Sequence, residues 1–360
     1  MSHKPKSFLI FAKPAIGDIL LATPLMRSIR AAEPDAVIDV MCYPGQEGIL
    51  EGNPDVDNIV SISQKPPAAE LVNLLRRLFR KYDVAITNAA DDRVHLYLLF
   101  FGKQRVSVTL KNGPAWKRWV VDASVQEGSE ELHALLRNNQ LGNLLGYGSN
   151  YEVRIPVSES AGRGRSETPA RNANADAYAV IHPDARLPYK RWTRHGWLAV
   201  MQHLHEMGLK TYVTGGASVA EQNYITSLLQ QAPSSVVNLA GRLRFAEVSE
   251  LIGESQLYVG VDTVNSHLAA ATGVPTIALF GPENPVRWGP WPKGFSGNHS
   301  PWSAKGTQRI GNVMIIQGNK TCDSCGQYDC QRRHQGSADC PLMTGIDSER
   351  VIDGIDDFLN

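Results

Sequence analysis

The chain has 360 residues, with 36 lysines and arginines balancing 36 aspartates and glutamates, 42 % apolar residues and 20 % charged ones. That length suits two domains with separate cores, and that balance describes a soluble globular protein. A neutral total gives no electrostatic ground for bulk nucleic-acid binding, and no apolar run reaches the ~18 residues a transmembrane helix needs.

The chain opens "MSHKPKSFLIFAKPAIGDILLATPLM", with two lysines before an apolar stretch. Lys13, Pro14, Gly17 and Asp18 interrupt that stretch, and no small-residue cleavage site follows it. Phe8–Ala12 therefore reads as a first buried strand rather than part of a signal peptide. A cytoplasmic location is the expectation, and cysteines there are reduced or metal-bound rather than disulfide-bonded.

Strand-length apolar runs follow: "SFLIFAK", "VIDVMC", "VDNIVSI", "YDVAITN" and "QRVSVTL". They alternate with helix-like stretches at Ile19–Ala32, about Glu47–Glu51, Leu71–Arg80 and Arg93–Phe101, which predicts a parallel sheet of βα units. A longer helix, Glu130–Leu145, closes this half, residues 1–156. Residues 157–176, "VSESAGRGRSETPARNANAD", are small and polar and read as a linker.

The second half, residues 177–345, repeats the alternation. Its strands are "AYAVIHP", "KTYVTGG", "SVVNLAG", "SQLYVGV" and "PTIALFG", the last closing the sheet. The helix after the first begins at an N-cap, Thr193, and ends at Gly208; others are expected at Val219–Gln230, Phe245–Glu254 and Thr263–Ala271. Residues 346–360 read as a C-terminal helix. The expected class is α/β, two Rossmann-like doubly wound domains facing an interdomain cleft, with ligands outside the carboxyl ends of the strands.

Three strand-end segments carry candidate chemistry. In "VGVDTVNSHLAAATGVPTIALFGPENPVRWGPW", Asp262 falls at an N-cap and a helix begins at about Thr263. The first N–H groups of a helix lack internal partners and carry partial positive charge, so they suit a phosphate. Asp262 would repel that phosphate, which leaves it to cap its helix or to accept from sugar hydroxyls. Thr263, Asn265 and Ser266 add short polar groups, and His267 shares the Thr263 face one turn later. The plainer alternative is a capping aspartate and a structural histidine. In "HPDARLPYKRWTRHGW", Lys190 and Arg191 either reach a diphosphate from the same strand edge or form a solvated basic loop. In "KPAIGDILLATPLMRSIR", Gly17 permits a tight turn and Asp18 starts a helix, as a cap or as a cleft-facing general base.

Cys322, Cys325, Cys330 and Cys340 fall within 19 residues in the pattern C-x2-C-x4-C-x9-C. Four thiols at short spacing suit a structural zinc or iron, with His334 as a spare ligand, or they are reduced thiols. Cys42 reads as a core residue.

Together "GDILLATPLMRSIRAAEPDAVIDV", "ILEGNPDVDNIV", "PDARLPYKRW" and "VGVDTVNSHLAAATGVPTIALFGPENPVRWGP" resemble glycosyltransferase family 9, the ADP-heptose:lipopolysaccharide heptosyltransferases. The resemblance runs along nearly the whole chain. Two positions depart from the family pattern: Val264 stands where Gly is frequent, and Thr193 where Pro often follows Lys-x-Trp. The resemblance implies a GT-B fold and an inverting transfer from a nucleotide diphosphate. Asp18 would take the acceptor proton. Lys190 and the helix N-terminus at Thr263 would stabilise the leaving diphosphate. Asp262 would hold sugar hydroxyls, His267 would support the phosphate side, and Thr214, Gly215 and Gly216 would let backbone approach base or ribose. No cofactor is implied for the chemistry.

The implied partners are an ADP-sugar donor and a lipid-linked core oligosaccharide, which brings the protein to the inner face of the inner membrane. "RRLFRKY" and "LKNGPAWKRW" mix cations with aromatics and are candidates for that contact, or are solvated faces. Rival readings are a GT-B sugar-nucleotide epimerase, a protein-glycosylating heptosyltransferase and a non-catalytic glycan-binding relative.

Overall fold

The computed structural model describes residues 5–12, 15–127, 132–158, 177–318 and 340–360. The chain forms two compact units, Met1–Pro156 and Val157–Asn360. Most of the expected linker, residues 159–176, lies outside the described residues.

The first unit runs β1 (Ser7–Phe11), α1 (Ile16–Leu20), α2 (Thr23–Ala32), β2 (Val37–Cys42), β3 (Asn58–Ser61), α3 (Ala68–Leu78), β4 (Tyr82–Thr87), α4 (Asp92–Phe101), β5 (Gly102–Leu110), α5 (Ala115–Val120), β6 (Ala123–Glu127) and α6 (Ala134–Asn143). The sheet order is β3-β2-β1-β4-β5-β6, and every pairing is parallel. Phe8, Leu9, Ile10 and Phe11 are all buried, as a central strand covered on both faces requires.

The expected helix Ile19–Ala32 is two helices. Pro24 cannot donate a backbone N–H, and its ring would meet the Leu20 carbonyl. Instead the Thr23 hydroxyl donates to that carbonyl at 2.7 Å, and the chain turns at Leu21–Ala22 before α2. The expected helix Glu130–Leu145 starts later, at Ala134, where His133 Nδ1 accepts from the Leu135 N–H at 3.1 Å. Glu130 lies outside the described residues.

The second unit runs β7 (Tyr178–His182), α7 (Arg194–Glu206), β8 (Lys210–Val213), α8 (Val219–Leu229), β9 (Val236–Asn238), α9 (Phe245–Gly253), β10 (Leu257–Val261), α10 (Val264–Thr272), β11 (Thr276–Phe280), α11 (Pro285–Trp288), β12 (Gln308–Ile310), β13 (Val313–Gln317), α12 (Pro341–Thr344) and α13 (Ser348–Leu359). Its order is β12-β13-β11-β10-β7-β8-β9. "PTIALFG" does not close the sheet. β13, a fully buried "VMIIQ", adds parallel to β11, and β12 then pairs antiparallel at the edge.

Thr193 caps α7 by accepting from Gly196 N–H at 3.0 Å, and Gly208 ends it at φ +77°, a left-handed angle that suits glycine. α13 buries Val351 and Ile355 against α7, β11 and β13, and His203 on α7 meets Asp356 at 2.8 Å. Among the described residues no helix is long and apolar enough to cross a membrane.

In each sheet the strand order reverses beside its first strand. The reversal opens a crevice at the carboxyl ends of β1 and β4 in one unit and of β7 and β10 in the other.

Candidate functional site

β7 and β10 are neighbours, with His182 opposite Gly260, so the residues after their ends meet although they are far apart in sequence. Asp262 follows β10 directly. It is not the N-cap of α10; Thr263 holds that position in extended conformation (φ −144°, ψ 176°), and the helix begins at Val264. Val264 takes ordinary helical geometry, so its replacement of the family's frequent glycine needs no left-handed backbone here. The α10 N-terminus, with N–H groups that precede the first intrahelical bond, opens into the crevice edge.

The Asp262 carboxylate turns to Lys190 instead. Nζ donates to Oδ2 at 2.6 Å, and Glu283 Oε1 stands 3.7 Å from the same nitrogen. Tyr189 OH in turn donates to Glu283 Oε1 at 3.2 Å. Burial alone would lower the Lys190 pKa, but the charges of Asp262 and Glu283 outweigh it and hold the ammonium above its usual value. Lys190 is therefore a half-buried cation between two carboxylates, not a solvated loop lysine.

Arg191 is committed elsewhere. Its guanidinium forks onto buried Asp184, Nη2 to Oδ2 at 3.1 Å and Nε to Oδ1, and lies 4.4 Å over the Tyr224 ring. Asp184, a buried carboxylate that also accepts from Ala185 N–H, takes one edge of the planar fork, so Arg191 is an ion-paired residue rather than a solvated loop cation.

His182, which the sequence reading passed over, joins three elements. Its Nδ1 lies 3.0 Å from Thr214 Oγ1 after β8 and 2.8 Å from Asn265 Nδ2 on α10. Burial pushes its pKa down to about 4, so it is neutral near pH 7. Burial and the Lys190 charge push His267 to about 4 as well. Asn265 Oδ1 and His267 Nδ1 are buried and have no hydrogen-bond partner among the described residues. Buried polar atoms without partners are rare in folded proteins, and two on one helix turn at a switch point make this turn a candidate ligand surface. Ser266 differs: its hydroxyl donates to Val261 C=O at 2.8 Å and serves the fold.

Thr214 is buried by its bond to His182. Gly215 and Gly216 serve α8: a Cβ on the first would run into Ile225, and one on the second into the Glu221 carboxylate, which accepts from Gly216 N–H at 2.6 Å. Packing alone thus already requires glycine at both positions. Trp192 anchors the Lys190 loop, its indole N–H donating to Ile346 C=O at 3.0 Å.

In the first unit Asp18 is 7 % exposed and sits in the first turn of α1 after β1, at that sheet's switch point. The N-cap position belongs to Ala15, and Asp18 is the third residue of the helix. Of the cysteine cluster, Cys322, Cys325, Cys330 and also His334 lie outside the described residues; Cys340 is buried at the N-cap of α12. Among the described residues no group of three or more His, Cys, Asp or Glu could hold a metal. Cys42 is core, its thiol pushed up to about 12 by burial.

Two Rossmann-like sheets, each with polar residues at its switch point, define a GT-B glycosyltransferase architecture. Residues 71–314 match the family model "Glycosyltransferase family 9 (heptosyltransferase)", and the chain belongs to that family. It is a glycosyltransferase. Asp18 precedes the matched residues; Lys190, Asp262 and His267 fall within them. The chain is similar to a lipopolysaccharide heptosyltransferase 3 of Escherichia coli, 29 % identical over 290 residues that cover 76 % of this chain and 83 % of the relative. In fold it is similar to a glycosyl transferase family 9 protein of Veillonella parvula (TM-score 0.73, 19 % identity, 100 % and 98 % of the two chains). It is likewise similar to the E. coli ADP-heptose lps heptosyltransferase II (TM-score 0.71, 19 % identity, 98 % of each chain).

Proposed function

We propose that this enzyme moves a heptose from ADP-heptose to a hydroxyl of a lipopolysaccharide inner-core acceptor, with inversion. The observation that carries the reading is the Lys190–Asp262 pair beside the α10 N-terminus, at the switch point of the second sheet. The names of the related enzymes point to the same donor and acceptor.

In this reading residues 1–156 bind the acceptor, 157–176 link, 177–345 bind the nucleotide sugar and 346–360 form the terminal helix. Asp18 takes the proton from the acceptor hydroxyl as its oxygen bonds to the anomeric carbon. The bond from that carbon to the diphosphate oxygen breaks, and ADP leaves with the electron pair. Nζ of Lys190 carries three N–H groups and its salt bridge uses one, so it can donate to a phosphate oxygen while keeping Asp262. The α10 N-terminus at Thr263 supplies further positive potential, and Asp262 and Asn265 accept from hydroxyls. His267, neutral, supports the phosphate side. Lys190 and the helix end provide the charge stabilisation, so the chemistry asks for no cofactor.

A structural zinc or iron at Cys322, Cys325, Cys330 and Cys340 is a separate part of the reading and rests on spacing alone. A cytoplasmic enzyme that touches the inner face of the inner membrane also belongs to the reading, and follows from the lipid-linked acceptor. The epimerase alternative is not favoured, since the related enzymes named above are heptosyltransferases.

The test is incubation with a panel of nucleotide sugars, with and without truncated core acceptors, read by mass spectrometry. A product heavier by one heptose, formed only with ADP-heptose and a core acceptor, is expected. Interconversion of the nucleotide sugar without acceptor, or transfer only to protein, overturns the proposal.

A further inference from the structure

Helix α3 packs on α4, and α4 on α5, as one layer over the first sheet. This layer leaves large apolar side chains in solvent: Trp119 is 83 % exposed and Phe79 60 %, with Val72, Leu96, Phe100 and Leu110 also exposed. Val72 and Phe79 share one face of α3, and Leu96 and Phe100 share one face of α4. Exposed cations lie among them: Arg76, Arg77, Arg80, Lys111 and Arg118. None of these five forms an ion pair among the described residues. The nearby acids are already engaged. Glu70 holds Ser63 N–H, Asp91 caps α4, Asp92 holds Lys117 and Asp83 holds Lys103.

Arg80 is also the one non-glycine residue with positive φ among the described residues, at +48°, and its N–H donates to Phe100 C=O at 2.8 Å. That bond ties the end of α3 to the end of α4 and brings Phe79 and Phe100 to the same corner. A left-handed arginine costs free energy, and it is maintained here where an aromatic is turned outward.

We propose that the α3–α4–α5 layer is a docking surface for an anionic phospholipid bilayer. Aromatics suit the depth of lipid headgroups, and unpaired arginines suit negative surface charge. A second copy of this chain would have to bring an acidic face to the same arginines, so charge favours lipid. Leu110 ends β5 at the same strand edge as the Asp18 turn after β1, so part of the layer borders the acceptor side. The inference rests on the proposed lipid-linked acceptor, yet its test uses no acceptor.

The full-length protein is mixed with vesicles of phosphatidylcholine alone or with one third phosphatidylglycerol, and bound protein is measured by flotation. Binding to the anionic vesicles is expected, weakening as salt is raised. Replacing Arg76→Gln, Arg77→Gln and Arg80→Asn together should reduce binding on the order of 100-fold, taking about 1 kcal/mol per cation. Asn is chosen at position 80 because it tolerates left-handed angles. Phe79→Ser with Trp119→Ser should abolish flotation while leaving the Tm of the protein unchanged. Wild-type binding by either variant overturns the proposal, as does flotation that ignores vesicle charge. A dimer that the Phe79→Ser, Trp119→Ser variant dissolves would assign the surface to a second copy. Failure of flotation leaves the transferase reading intact, because that reading stands on product formation.

Discussion

Lys190 and Asp262, 72 residues apart in sequence, are joined by a 2.6 Å salt bridge that ties the loop after β7 to the end of β10. Glu283 makes the pair a triad with one more negative charge than positive. Removing the lysine leaves two buried carboxylates without their shared cation. Lys190→Ala is expected to destabilise the fold by about 3 kcal/mol, and adding Asp262→Asn should recover part of that loss. Urea unfolding of the two single variants and the double variant measures the coupling; strictly additive losses would show that the pair carries none.

The same lysine should distinguish phosphate from nucleoside. Calorimetry on Lys190→Ala is expected to show a larger loss for ADP than for adenosine, because on the proposed reading the ammonium reaches the diphosphate and not the nucleoside. Equal losses for both would mean that the loop, and not the charge, had been damaged.

Asp18→Asn keeps the size and burial of the side chain while removing its basicity. Turnover should fall roughly 10²–10⁴-fold with ADP affinity unchanged. Turnover near that of the unsubstituted enzyme would take Asp18 out of the mechanism.

His182 and His267 titrate near pH 4 in the folded chain, against about 6.5 for an unperturbed histidine. Between those values the unfolded chain binds more protons. Their contribution to stability is thus complete above about pH 6.5 and is lost as pH falls toward 4. Each should account for on the order of 3 kcal/mol by pH 4. Unfolding free energies measured from pH 7 to pH 4.5 should fall less steeply for His267→Asn than for the unsubstituted chain. Parallel curves would place the acid sensitivity in other groups.

The cysteine cluster makes a separate prediction. Protein purified without chelators should carry about one zinc or iron per chain, and chelation should lower its Tm. Four titratable thiols without metal in elemental analysis would leave reduced cysteines.

The sheets were legible because buried parallel strands are continuous apolar runs: "SFLIF", "YAVIH" and "LYVGV" are strands from end to end. β6 was not, because "ASVQE" is half polar and sits at a sheet edge. β13 was an apolar run beyond a Gly-Pro loop that looked like the end of the fold. In the site, residue type identified Asp262 and Lys190, but their pairing depends on which strands are neighbours. Glu283 was hidden in "GPENP" for the same reason. His182 had one available signal, its place at the carboxyl end of an apolar run. The Arg191 pairing was not legible because its partner, Asp184, reads as a loop residue and is buried.

The indole of Trp192 closes a loop of another kind. Its bond to Ile346 C=O fastens the two residues before it, Lys190 and Arg191, to the chain's last stretch, and Gly196 has no room for a Cβ beside the ring. The residues around Ile346 thus act as a remote strut for the Lys190 loop. A deletion from Ile346 onward removes the strut's footing along with α13. Its first symptom would be a misplaced ammonium, so on the proposed reading the terminal segment would influence nucleotide binding without touching nucleotide.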